Sequence, residues 1–197
     1  MTLQINNNEF NFFQAIIKGD VHKTALFLRE IQPKRYYSPK LRYKKITADK
    51  YSTPIHLACS LGMIAITELI FQSANNNYSL LSLRNYIKQD TVLHMMIRCN
   101  QFELFQLLYY TKQDQFKECL NIKNTRGYTP FLLASKHQDL RYVELLVQAG
   151  SLLDEENLDR KGALELIFSS QHFRHATFDF KNTAYYKHTQ SDYIYNY

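Results

Sequence analysis

The chain has 197 residues, of which 45% are hydrophobic and 21% charged, a composition that suits a folded chain with a buried core and excludes an acidic or polar disordered one. It contains no apolar run near the roughly eighteen residues of a membrane span, and its opening MTLQINNNEF lacks the basic, apolar and cleavage regions of a secretory leader; the expected location is cytoplasmic or nuclear. Cys59, Cys99 and Cys119 form no paired framework, and Cys59 and Cys99 read as reduced thiols packed within predicted helices.

Residues 9–30 (EFNFFQAIIKGDVHKTALFLRE) read as two short helices that cap the chain's N-terminal side. Phe12, Ala15 and Ile16 make one apolar stripe, Gly19-Asp20 the break, and Leu26 with Phe27 the second stripe. Phe10 and Phe13 lie off that first stripe and need cover from flanking chain. Residues 31–50 (IQPKRYYSPKLRYKKITADK) interrupt the pattern. Seven cations, Lys34, Arg35, Lys40, Arg42, Lys44, Lys45 and Lys50, face only Asp49, with Tyr36, Tyr37 and Tyr43 interleaved. The stretch reads as a solvated basic insert, with nuclear import or polyanion contact as the alternative. Residues 51–158 hold nine Lys/Arg against ten Asp/Glu, so the formal charge of +6 resides in the insert and the tail.

Three helix starts follow. Thr53-Pro54-Ile55-His56-Leu57-Ala58 leads to a break at Gly62 and a second stripe of Ile66, Leu69 and Ile70. Asp90-Thr91-Val92-Leu93-His94 leads to a break at Asn100 and to Phe105, Leu107 and Leu108. Gly127-Tyr128-Thr129-Pro130 leads to a break at Gln138-Asp139, then Tyr142, Leu145, Leu146 and Ala149, with Gly150 as the stop. Threonine can cap the first amides, and proline at the first helical position loses an N–H that has no partner there. Thr53, Thr91 and Thr129 recur every 38 residues. Short helices apolar on one side cannot bury that side alone, so the pattern predicts stacking: an all-α solenoid of four to five helix-turn-helix units.

In that reading, 1–30 is the N-terminal cap, 31–50 the basic Tyr-rich loop, and 51–170 the repeats, with units starting near 51, 89, 127 and 162. Residues 171–197 are a Tyr-rich tail, either loosely ordered or a strip packed on the last helices. The connections SANNNYSLLSLRNYIKQ and TKQDQFKECLNIKNT are long, and each is expected to lengthen a second helix or a hairpin loop on one side of the stack. A truncated fifth unit begins at Asn157, aligned on Asn124.

STPIHLACSLG and RGYTPFLLA match T-P-L-H-x-A, and DTVLHMM is degenerate but in register. On these residues the chain resembles the ankyrin-repeat family over roughly 9–170. The resemblance implies that His56 and His94 hydrogen-bond the backbone of adjoining turns, and that hairpin tips and exposed sides of the first helices bind a protein. The implied contact residues are Tyr51, Lys88, Arg98, Arg126, Tyr128 and His137, with Ser60, Asp90 and Lys136 on the same surface. Exposed Tyr and Arg are enriched at hot spots, which favours Tyr51, Arg98, Arg126 and Tyr128 as anchors. No phosphate loop, G-x-S-x-G or Cys/His pair in a plausible setting occurs. Asp154-Glu155-Glu156 reads as a solvated charge run. His172, His175 and His188 have no Cys or carboxylate constellation beside them. No catalysis, cofactor or metal is expected.

The stretch QDTVLHMMIRCNQFELFQLLYYTKQDQFKECLNIKNTRGYTPFLLA is similar to the early repeats of the IκB inhibitors of Rel/NF-κB factors. There a D-S-x-L-H repeat is followed by an extended linker and T-P-L-H-L-A. NLDRKG resembles their L-D-R-x-G, and STPIHLAC one of their T-P-L-H-L-A-C units. Neither the D-S-G-x-x-S degron nor an acidic PEST segment occurs in the 197 residues, which resembles the truncated IκB-like ankyrin proteins (vankyrins) of parasitoid-wasp polydnaviruses. That resemblance implies sequestration of a Rel/NF-κB dimer in a host cell, beyond the reach of signalling, with no direct nucleic-acid binding and no membrane. The alternative is an ankyrin effector or adaptor with an unrelated host partner. The missing acidic face counts against electrostatic masking of a basic localisation segment.

Overall fold

The computed structural model describes residues 7–30, 53–74, 79–85 and 87–168; Tyr51, the 31–50 insert, the 171–197 tail and His172, His175 and His188 lie outside them. Among the described residues there are ten α-helices, one 3-10 turn and no strand. Unit one is α1 (Asn7–Ile17) and α2 (Val21–Glu30); unit two is α3 (Pro54–Ser60) and α4 (Ile64–Ser73). A 3-10 turn (Leu80–Ser82) precedes α5 (Val92–Arg98), α6 (Phe102–Thr111) and α7 (Gln113–Cys119). Unit four is α8 (Pro130–His137) and α9 (Leu140–Ala149), and α10 (Ala163–Phe168) begins the next. No helix among the described residues is long and apolar enough to cross a membrane.

The helix starts fall where Thr and Pro place them. Thr53, Thr91 and Thr129 are extended N-cap residues, and the Thr129 hydroxyl accepts the Leu132 N–H at 3.2 Å. The breaks between paired helices are one geometry used four times. Gly19, Gly62, Asn100 and Gln138 all adopt positive φ, at 68°, 68°, 53° and 59°. In the first three the next amide bonds back five residues: Asp20 to Ala15, Met63 to Ala58 and Gln101 to Met96, at 2.9–3.0 Å. That bond defines the Schellman ending, which turns the chain into the second helix.

The first helices α1, α3, α5, α8 and α10 pack in series, with α2 against α4 and α6 against α9. One continuous apolar cluster runs from Phe12 to Leu166. Every residue of α3 is buried, as are Val92–Ile97 of α5 and Pro130–Ser135 of α8. A one-sided apolar stripe is therefore not what these helices use. Each has a first helix on both flanks and its own second helix behind it. Ser60, expected on the open face, is buried with its hydroxyl donated to the Leu57 carbonyl at 2.9 Å.

Two further expectations change. In α2 the buried pair is Thr24 and Leu28, whereas Leu26 is exposed, because residues four apart share the face that meets α4. Phe13 is fully buried beside Phe12, their ring centroids 6.0 Å apart. The two long connections also do not lengthen a second helix. The chain breaks at Lys112 (φ −130°) and α7 starts afresh, folding onto the 3-10 turn of the preceding connection. Gln115 Oε1 accepts the Leu80 N–H at 2.9 Å, and Ser79 donates to Glu118 at 2.7 Å. Phe116 stands edge-on to Phe105, 5.1 Å between centroids, and is fully buried. The two inserts thus form one built layer.

Leu145 faces this cluster from α9 and is 5% exposed. Leu145→Ala is expected to cost about 2–5 kcal/mol, the range for a buried leucine whose surroundings relax only partly. Thermal unfolding followed by circular dichroism checks it; an unshifted transition would remove Leu145 from the core.

Candidate protein-binding surface

The turns between units are built alike. Asn85 Oδ1 accepts the amides of Lys88 and Asp90 at 3.2 and 3.1 Å. Asn124 Oδ1 accepts those of Arg126 and Tyr128 at 3.0 and 3.1 Å. Asn157 Oδ1 accepts those of Asp159 and Lys161 at 2.9 and 3.0 Å. A short amide side chain thereby folds its own following backbone into a tight loop. The apices Gln89, Gly127 and Arg160 are all left-handed, with φ of 54°, 76° and 57°. Successive loops join edge to edge, Thr125 N–H to the Lys88 carbonyl at 2.8 Å and Leu158 N–H to the Arg126 carbonyl at 3.2 Å. At Gly127 a Cβ would stand 2.7 Å from the Leu158 backbone nitrogen, so glycine is what lets that last junction close.

The signature histidines lock these loops to the helices behind them. His56 Nε2 donates to the Asp90 carbonyl at 3.2 Å, and His94 Nε2 to the Tyr128 carbonyl at 2.8 Å. Since a carbonyl only accepts, both rings carry their proton on Nε2, leaving Nδ1 to accept. His94 Nδ1 takes the Thr91 N–H at 3.2 Å, and His56 Nδ1 lies 2.7 Å from the Thr53 hydroxyl. Burial pushes both imidazoles down to about 4. In the next unit Leu132 stands at the histidine position. Gln138, at the break after α8, donates to the Ile167 carbonyl of α10 at 3.0 Å.

Beneath the first loop sits a buried charge. Asp90 is fully buried and receives Arg98 Nε at 2.8 Å and Asn124 Nδ2 at 2.7 Å. Three chain segments converge on one carboxylate, which is costly to bury unless it is paired and hydrogen-bonded.

The expected contact residues separate accordingly. Arg126 and His137 are exposed on a loop and on the last turn of α8. Lys88 is half-buried, its backbone engaged on both sides. Arg98 is half-buried and held by Asp90. Tyr128 is not an exposed anchor: its side chain is 5% exposed within the core cluster, and the Lys136 ammonium stands 4.9 Å from its ring centroid. Asp90, expected at a tip, is likewise interior. Tyr51 lies outside the described residues. The loop asparagines were not singled out by sequence. Asn124 and Asn157 do align, but Asn85 precedes a loop one residue longer, which hides its equivalence.

Lys123 pairs with Glu155 across neighbouring connections, so the acidic run after Gly150 is partly neutralised. No group of three or more His, Cys, Asp or Glu among the described residues could hold a metal ion.

Two outcomes follow from this geometry. Between pH about 6.5 and about 4 the unfolded chain takes up protons that the folded His56 and His94 refuse. Stability from these groups is therefore complete above pH 6.5 and declines as pH falls, by up to about 1.4 kcal/mol per pH unit for each ring. Urea midpoints between pH 7 and 5 read the slope directly, and His94→Gln should halve it; a flat profile would show that the rings are charged or solvated. Separately, Arg98→Ala strands Asp90 and is expected to cost about 3 kcal/mol, whereas Lys136→Ala on the open surface should cost far less. Equal shifts in melting temperature for the two variants would contradict the buried pairing.

A family model described as ankyrin repeats in three copies matches residues 55–157, just over half of the chain. No curated protein matches the sequence. The matched span opens beside His56 and ends on the asparagine of the last loop, taking in both histidine ties. Ankyrin repeats are protein-binding modules rather than enzymes, and this chain belongs to the ankyrin-repeat family.

Proposed function

We propose that the chain sequesters a Rel/NF-κB dimer through its loop and first-helix surface, as an IκB-like inhibitor in a host cell. The observation that carries the proposal is the segment from Thr91 to Thr129. It is the stretch that resembles the early IκB repeats, and its long connection is a packed helix with Phe116 and Cys119 buried. Nothing in the 197 residues matches the D-S-G-x-x-S degron, so the complex is expected to outlast an immune stimulus, and a constitutive binder holds its partner by mass action.

A second reading, an ankyrin effector or adaptor for an unrelated host protein, is favoured by one observation. The exposed charges of α5, α8 and the 124–128 loop are cations, the opposite of what would mask a basic segment.

Co-expression with a κB reporter is expected to repress it, and purified chain to bind a Rel-homology dimer. Arg126→Ala with Lys136→Ala should weaken that binding about tenfold without altering the helical signal; Tyr128 is left intact because it belongs to the core. An unaffected reporter together with no dimer binding would transfer the function to the second reading.

A further inference from the structure

Residues 51–158 are nearly neutral in sum, but the fold sorts the charges. Helices α3, α5 and α8 carry Arg98, Lys136 and His137 and no acidic residue. The loops 85–90 and 124–128 add Lys88 and Arg126, and their one carboxylate, Asp90, is buried beneath Arg98. The acids lie elsewhere. Glu68, Glu103 and Glu144 are on the second helices α4, α6 and α9, Asp139 caps α9, and Asp114 and Glu118 are on α7. Two of the cations on that other side are engaged with it: Arg141 pairs with Asp139 at 2.8 Å, and Lys112 stands 5.1 Å from the Phe71 ring centroid.

We infer that the loop and first-helix face of units two to four docks an acidic, extended segment of a partner protein, with Arg126 and Lys136 as its main charge contacts. This deepens the reading that the same face binds protein and rests on it. The local field supports the assignment. His137 is held below its ordinary pKa, first by partial burial and then by the charges of Arg98 and Lys136. A one-signed surface with the opposite sign on its far side orients an approaching partner and raises its association rate. Ile87, 46% exposed beside Lys88, offers one apolar contact among the cations.

A nucleic acid fits this face less well. Single-strand binding pairs a cationic track with aromatic platforms on which bases stack. Among the described residues of these loops the aromatic, Tyr128, is buried, and Arg98 is already paired with Asp90.

The test titrates a fluorescein-labelled Glu-rich peptide carrying one Leu against the full chain at several salt concentrations. Binding should weaken steadily with salt. Arg126→Glu with Lys136→Glu should reduce affinity by about tenfold or more, and the milder Arg126→Gln with Lys136→Gln by a smaller factor. Glu68→Lys with Glu144→Lys, on the second helices, should leave it within about twofold. Because the 31–50 insert is also basic, Lys44→Gln with Lys45→Gln is measured in parallel. Loss of binding in that variant alone, or indifference to reversal at Arg126 and Lys136, would overturn the inference. So would a single-stranded DNA oligonucleotide that binds more tightly with the same dependence on these two residues. If the unaltered chain binds the Rel dimer but not the acidic peptide, the inference falls and the proposed function stands; if the peptide binds and the dimer does not, the reverse holds.

Discussion

Two of the ankyrin loops here each hang on one neutral imidazole. His94 sits in the first turn of α5, wholly buried, and donates across 34 residues of sequence to the Tyr128 carbonyl. His56 makes the same bond to Asp90. Each of these carbonyls also accepts an amide of its own loop, Asn85 N–H to Asp90 at 2.8 Å and Asn124 N–H to Tyr128 at 3.0 Å. The imidazole N–H is thus the second donor on a carbonyl that closes the loop, and it fixes the loop of one unit to the helix of the one before it. A buried ring left without that acceptor, or charged, would be costly.

Once a loop is fixed, the rest of the surface has little freedom. Asn124 lies in the loop that His94 holds, and its amide reaches Asp90, the residue whose carbonyl His56 holds. Asp90 in turn positions Arg98. Loop, helix and neighbouring loop are thus one hydrogen-bonded network, and its members rigidify one another. Preorganisation of this kind reduces the ordering cost of binding. It also explains why charge can be sorted across a solenoid with nearly balanced totals: the repeat places equivalent positions on one side, and six or so substitutions suffice to colour it.

How much of this was legible in the sequence depended on whether a residue's role is local. Gly62 and Gly150 announced a break and a stop because left-handed backbone favours glycine for a purely local reason. Thr53, Thr91 and Thr129 announced helix starts for a similarly local reason. Asn100 and Gln138 do the work of Gly62 with side chains attached, and the period, not the residue type, revealed them. Tyr128 was misjudged because its burial is a long-range fact, decided by its place between α8 and the His94 bond. The α7 layer was misjudged for the same reason. Nothing in TKQDQFKECLNIKNT shows that Phe116 will meet Phe105 and Tyr109, or that Gln115 will bond Leu80.

The claim beneath all of this is that the binding face is preformed because neutral rings lock its loops. Ring nitrogen-15 shifts of His56 and His94 test it most directly. At neutral pH both should show the Nε2–H tautomer, and both should keep it down to about pH 5, still above the value of about 4 to which burial pushes the rings. An imidazolium signal at neutral pH, or rapid exchange between tautomers, would mean that the loops are not held in this way.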